Sequence, residues 1–438
     1  MDLLKDNVGK LYRKFFIASF GSALIACIYG LVDMAIVVQY HGPDGSAAMA
    51  VIAPIWNIIY SFGLLCGIGG SVIYAVARGE RDDVKEANGY FTSAFILGAI
   101  WALILWVLVW VCEEPLLKLF GANDALMPLC KEYMVAPKLT VPVYVFINLL
   151  SSFLRNDGDP GRATKAVIFG GIFNVFGDYF FVFTLDMGIK GAGIATAMGA
   201  SMSVLVMLTH FIGKKNTLKF VKPIRILNSF KMISVNGFSS FIVDVAMGIA
   251  TMLFNRRVME YLGTDALAVY GVIVVVGTLV QCCSYGIGQA AQPVISRNFG
   301  AGLTDRIKTM LKYNIITAAV FGAIWTVLSM AMPQVFIKLF MTPTPEVLSI
   351  APGIIRIYAI SFVLLPFNIY STYYFQAIMR AKISLIASVA RGIVISGALI
   401  LLLPVAFGGN AVWWAMPITE AVVFVYSAVM MKKVKLSR

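Results

Sequence analysis

The chain has 438 residues, of which 60% are hydrophobic and only 13% charged, with a mean hydropathy of +0.85. Soluble domains carry about 25% charged residues, so this composition excludes an ordinary soluble enzyme, a disordered chain and a conventional nucleic-acid-binding domain. The net charge of +13 reads instead as basic loops on the cytoplasmic face of a membrane, where Lys and Arg accumulate.

A helix needs about 20 apolar residues to cross a bilayer, and about 35 residues per span plus loop leave room for twelve. Apolar runs bounded by charges or turn residues begin near Phe15, Ser46, Gly89, Tyr133, Ala163, Ile189, Lys231, Ala266, Tyr313, Ile354, Ile383 and Ala411. The first, Phe15 to Val38, is too long for a signal-peptide core and no small-residue cleavage site follows it, so the N-terminus is expected to be retained. The longest polar interruption, residues 213–230, reads GKKNTLKFVKPIRILNSF; counting Lys231 it carries six basic residues and no acid. It is expected to be a cytoplasmic linker between an N-lobe (1–212) and a C-lobe (231–438). With the N-terminus in the cytoplasm, the loops and tails of that side hold 26 basic residues and the opposite side 7, while Arg356 and Arg391 lie within spans. This bias predicts that both termini are cytoplasmic.

The two halves repeat. Residues 47–78 begin AAMAVIAP, contain GIGG and close with Arg78; 219 positions later, residues 266–297 show ALAVYGVI, GIGQ and Arg297. LKLF at 117–120 returns as IKLF at 337–340, and Phe20, Ser22 and Gly30 match Phe238, Ser240 and Gly248. Each half has an even number of spans, so the repeats are parallel and related by an axis along the membrane normal, an arrangement that commonly encloses a midplane cavity. The predicted fold is all-α and polytopic, with two six-helix lobes.

An ionisable group inside a span costs at least about 2.5 kcal/mol on insertion scales and needs a reason. Asp33 lies deep in the first span. Asn174 and Asp178 are four apart and share one face of the fifth, and Thr196 opens the sixth within a small-residue run. Two carboxylates, an amide oxygen and a hydroxyl are hard ligands for Na⁺, or exchange protons between close carboxylates; alternatively the acids only tie neighbouring helices together. In the second half Asp244 and Glu420 are the buried acids, and Arg391 either pairs with Glu420 or serves function. Gln281, Gln289 and Gln292 of the eighth span either line a polar wall or bridge helices. The 21 methionines and 30 phenylalanines are chiefly packing and lipid contact, though such side chains also adapt to varied ligands. The six cysteines show no zinc spacing, and His41 and His210 are far apart. There is no phosphate loop or hydrolase motif, so energy is expected from an ion gradient or another protein, with no covalent cofactor.

The strings LVDMAIV, GIGG followed by ARGE, FLRNDGDPGRATKA, FNVFGDYFF, MGIKGAGIATAMG and AVWWAMPITE together resemble the multidrug and toxic compound extrusion (MATE) family, in its bacterial MepA-like branch, over nearly the whole chain. That resemblance implies two lobes around a cavity that exchange Na⁺ or protons for amphipathic, often cationic, drugs. It implies an ion site at Asp33, Asn174, Asp178 and Thr196, the same four residues reached from insertion cost. Two departures stand out. The first span reads FFIASFGS, without the early proline of some relatives, and residues 354–377 contain no acid where some relatives have one. The expected protein is a monomeric antiporter of the bacterial inner membrane whose partners are small organic cations and the bilayer. A lipid-linked precursor flippase is the alternative, and would call for a basic cavity.

Overall fold

The computed structural model describes residues 2–80, 84–223, 225–341 and 343–436, apart from the side chain of Pro43. Among the described residues there are helices and no strands. Eleven helical stretches are long and apolar enough to cross a bilayer, and one of them, Ile226–Gly300, breaks at Gly263 into two, making twelve. They are α1 (Val8–Gly42), α2 (Asp44–Glu80), α3 (Val84–Val111), α4 (Val135–Asn156), α5 (Pro160–Asp178) and α6 (Gly188–Leu208). The second half has α7 (226–262), α8 (264–300), α9 (Thr304–Ala331), α10 (Pro345–Ala359, continued to Ala377), α11 (Ala381–Phe407, interrupted) and α12 (Ala415–Lys433).

The helices overrun the apolar windows that announce them. α1 begins seven residues before Phe15, α9 at Thr304 rather than Tyr313, and α7 at Ile226, so the last residues of the expected linker form its first turn. Hydropathy marks only the stretch inside hydrocarbon, whereas an amphipathic helix continues into the headgroup layer.

Two glycines turn the chain back between paired spans. Gly42 (φ +63°) and Gly263 (φ +78°) adopt a backbone that a Cβ would disfavour. The LKLF and IKLF repeats fall at the ends of matching short connectors, Glu113–Leu119 and Pro333–Phe340. The duplication therefore extends to turns and connectors. Large exposed apolar side chains follow the lipid-facing sides of the bundle, such as Leu103, Val107 and Trp110 on α3 and Val320, Ile324 and Val327 on α9.

The lobes meet along α1, α2, α7 and α8, and the seam is made of glycine. A Cβ on Gly69 would lie 2.2 Å from Ile233 O, on Gly237 2.0 Å from Leu65 O, on Gly79 2.1 Å from Arg297 O, and on Gly300 2.0 Å from Val76 O. Gly286 meets the Phe20 backbone in the same way, at 2.7 Å. These contacts lie in the halves of the helices nearest the termini and the linker. In the opposite halves Gly30, Gly248 and Gly271 face open space. The lobes are thus closed on the terminal side and parted on the other. The N-terminal segment reinforces the closure, because Arg306 donates to Leu3 O (3.1 Å) and Asp6 O (2.7 Å), and Tyr12 bonds to Thr317.

Candidate functional site

Close helix approach assembles the first-lobe site. A Cβ on Gly170 of α5 would sit 1.9 Å from Ser203 Oγ, and one on Gly199 of α6 2.6 Å from Gly170 O. The two helices touch backbone to backbone, as small residues permit, and Gly171 admits the Tyr29 ring from α1. Oxygen-bearing side chains of three helices then converge. Asp178 is fully buried and Asp33 nearly so, with their carboxyls adjacent. Tyr133, at the end of the connector before α4, donates to Asp33 Oδ2 at 3.4 Å and its hydroxyl also neighbours Thr196. Asp33 Oδ1, both Asp178 oxygens and Thr196 Oγ1 complete no hydrogen bond of good geometry.

Buried acceptors without donors are costly, so this point suits something that brings positive charge. The donor set fits a hard monovalent cation or a proton shared between the carboxylates. Among the described residues no group of three or more His, Cys, Asp or Glu side chains is arranged to hold a metal ion, and this point offers only two, unlike a transition-metal centre. Asp178 ends α5 at a π-helical turn, Tyr179–Thr184, a local irregularity often found at functional positions.

An open cavity, about 1260 Å³ counting the solvent space at its mouth, lies against this point and between the lobes. It runs along α1 from Ser22 to Asp33 and along α4 from Tyr144 to Arg155, touches Asn174 and Thr196, and is closed on the C-lobe side by Cys282, Tyr285 and Gln289 of α8. Asp33, Asn174 and Thr196 face the cavity; Asp178 sits behind them.

The C-lobe candidates do not form a second copy. Asp244 Oδ1 accepts from Tyr285 at 2.7 Å, and Gln281 donates to the same hydroxyl at 2.6 Å. Glu420 accepts from Arg391 Nε at 2.7 Å and, with its own backbone carbonyl, from Asn368 at 2.6 and 2.8 Å. Arg391 and Glu420 are therefore an ion pair, and Asn368 of α10 joins it from the 354–377 stretch, which has no acid. The three glutamines make no common wall. Gln281 belongs to the Asp244 group, Gln289 lines the interlobe cavity, and Gln292 is buried with Nε2 unpaired. Eight and eleven residues beyond Gln281, the latter two lie on higher turns of α8.

Several site residues escape sequence reasoning. Tyr133, Tyr144 and Tyr285 carry no signal beyond being aromatic in a span. Arg155 is assigned to a loop by its neighbours Asn156, Asp157 and Gly158, yet it is buried inside the end of α4 and lines the cavity.

Fold and cavity together define a duplicated, two-lobed helical membrane protein. The family description MatE matches residues 18–180 and again 237–400, two copies offset by 219 residues. The chain belongs to the MatE family. It is similar to "Multidrug export protein MepA" of Staphylococcus haemolyticus (strain JCSC1435), 24% identical over 426 residues that cover 95% of this chain and 92% of that one. The protein of the same name from Staphylococcus saprophyticus is 23% identical with the same coverage. Among solved structures, an outward-facing multidrug resistance MATE family transporter of the MOP superfamily superposes with a TM-score of 0.89 at 22% identity, covering 98% of this chain and 97% of that one. A MOP superfamily transporter from Pyrococcus furiosus Vc1, described as having a binding pocket of reverse polarity, gives 0.87 at 22% identity, again covering 98% and 97%. At such identities the likeness establishes the fold.

Proposed function

We propose that the chain is a cation-coupled antiporter that exports amphipathic, cationic small molecules through the interlobe cavity. It works as a monomer in the bacterial cytoplasmic membrane, with both termini inside. The observation that carries this reading is the Asp33–Asp178 pair, three of whose four carboxylate oxygens lack a donor, beside a cavity that Asp33 lines. A buried site of negative charge holds either its driving ion, Na⁺ or H⁺, or an organic cation, and so couples the two.

With the termini cytoplasmic, the glycine seam closes the inner side and the cavity opens outward. A cation entering from outside would neutralise the pair and bias the lobes toward the inward-open arrangement, since a ligand shifts a conformational equilibrium by its differential affinity for the two states. Substrate then displaces the cation from within. The flippase reading needs several converging cations for a pyrophosphate; the residues lining this cavity include Arg155 and no Lys.

The test is efflux of a fluorescent cation from proteoliposomes under separately imposed Na⁺ and proton gradients. One gradient should drive efflux and the other should not. Efflux unaffected by either would overturn the proposal.

A further inference from the structure

Arg155 lines the cavity from the terminal end of α4 and is 8% exposed. Among the described residues its guanidinium takes no hydrogen bond or ion pair, and its near neighbours are the hydroxyls of Tyr60 and Tyr373. The acids that follow it are occupied elsewhere: Asp157 accepts from Tyr74 and Thr217 and contacts His210, and Asp159 pairs with His210 and Arg162. A buried guanidinium left without a counter-charge is expensive, and its open side is the cavity.

The duplication supplies an internal comparison. In the turn after α4, Gly158 N–H bonds to Arg155 O and Asp159 N–H to Leu154 O; 221 positions later Met379 N–H bonds to Gln376 O and Arg380 N–H to Phe375 O. Arg155 and Gln376 thus occupy the same place. Gln376 is fixed by its Nε2, which donates to Asn236 O and to the hydroxyls of Ser239 and Ser240, all within 2.9 Å. The backbone of this turn needs no cation, since Gln376 serves it; the first-lobe copy places one facing the cavity.

The charge lies at a defined distance from the acids. Tyr144 sits beside Asp33 and Asp178, and Arg155 is eleven residues further along the same helix wall, about 16 Å at 1.5 Å per residue. The cavity therefore has an acidic end and a basic end, separated by the length of an elongated fused-ring molecule.

We propose that Arg155 anchors the anionic group of substrates, so that the cavity takes amphipathic zwitterions with a carboxylate at Arg155 and the cationic end toward Asp33. This rests on the transport reading above and adds a second specificity element to it. A guanidinium and a carboxylate meet through paired, charge-assisted hydrogen bonds, and the burial of Arg155 strengthens them.

The test compares a carboxyrhodamine dye, zwitterionic at neutral pH, with its methyl ester, a cation of nearly the same shape, by fluorescence anisotropy with the purified full chain. The wild type should bind both. Arg155→Gln should weaken the carboxyrhodamine about tenfold, the value of one charged hydrogen bond, and leave the ester within about twofold. Arg155→Lys keeps the charge but loses the fork, and should weaken the zwitterion alone, by a smaller factor; it serves also if Arg155→Gln fails to fold. Equal losses for both dyes, no loss for either, or a wild type that binds only the ester would each overturn the proposal. A wild type that binds neither dye, and moves neither in the efflux assay, overturns the transport reading along with it.

Discussion

What separates the acids of this protein is the company each one keeps. Glu420 is fully buried but has Arg391 and Asn368 as donors, which makes it part of the frame. Asp33 has one weak donor, Tyr133, and Asp178 has none, which leaves them free to take a ligand. The substitutions should diverge accordingly. Arg391→Met alone strands a buried carboxylate and should cost about 3–5 kcal/mol, and the double variant with Glu420→Gln should recover most of it, because both charges are gone; thermal unfolding of the single and double variants measures this. Asp33→Asn and Asp178→Asn remove charge from the bilayer, so the protein should fold as before, while gradient-driven dye efflux should fall to the background of empty vesicles. Wild-type efflux rates in both would reduce the pair to helix glue. Cost per buried charge, readable from sequence, picked out Asp33 and Asp178, whose carboxyls lie adjacent, while Asn174 and Thr196 face the cavity beside them. It missed Arg155 because the polar run Asn156–Asp159 disguises the last turn of a helix as loop.

At the level of elements, spans were legible and their ends were not. Apolar windows located every crossing, yet the starts of α1, α7 and α9 lie five to nine residues earlier, where periodic amphipathic sequence outlasts hydrophobicity. Nor does any simple pattern announce the π-turns that follow Asp178 and enclose Arg391. A third hidden element is the clasp where α6 ends. His210 is fully buried, with Nε2 2.7 Å from Asp157 and Nδ1 3.3 Å from Asp159, and Thr217 N–H on the linker bonds to Asp157 at 2.9 Å. Burial favours the neutral ring, but the two carboxylates outweigh it and raise His210 above its ordinary value, while the hydrogen bond to His210 holds Asp159 down to about 2. A raised histidine adds stability that is fully present below its unfolded value near 6.5 and disappears as pH rises through the folded one. Hydrogen exchange of residues 210–217 should therefore quicken, beyond the intrinsic chemical rate, as pH rises above about 6.5 and through the folded value. In His210→Gln that excess pH dependence should vanish; an unchanged profile would show the clasp to be inert.

On the scale of the whole molecule, the approximate 219-residue repeat predicted two parallel lobes, and the fold delivers them down to matching turns. Orientation rests on the loop charges. Cysteines placed singly at Asn216 and Asp44 in a Cys-free background should react with an impermeant reagent from opposite faces of the cell, and labelling of both from outside would refute cytoplasmic termini. What the sequence could not show is which side of the seam is shut, since GIGG within an apolar helix reads equally as close packing or bending. The geometry is specific: Gly79 and Gly300 each sit where a methyl group would overlap a carbonyl of the other lobe by more than 1 Å. Gly300→Ala should thus destabilise the closed terminal side, seen as increased reactivity of a cysteine at Arg297 or Asn298. Gly271→Ala, facing open space, should leave it unchanged.

That seam also has a genetic signature. Glycine has no smaller neighbour in the code, so every missense change at codons 69, 79, 237, 286 and 300 adds atoms to a contact with no room for them. Their flexible-looking counterparts at 30, 248 and 271 can absorb a methyl group without collision. A random library selected for loss of activity should therefore return the first group far above its share of the chain and the second near the background, whatever compound is used to select.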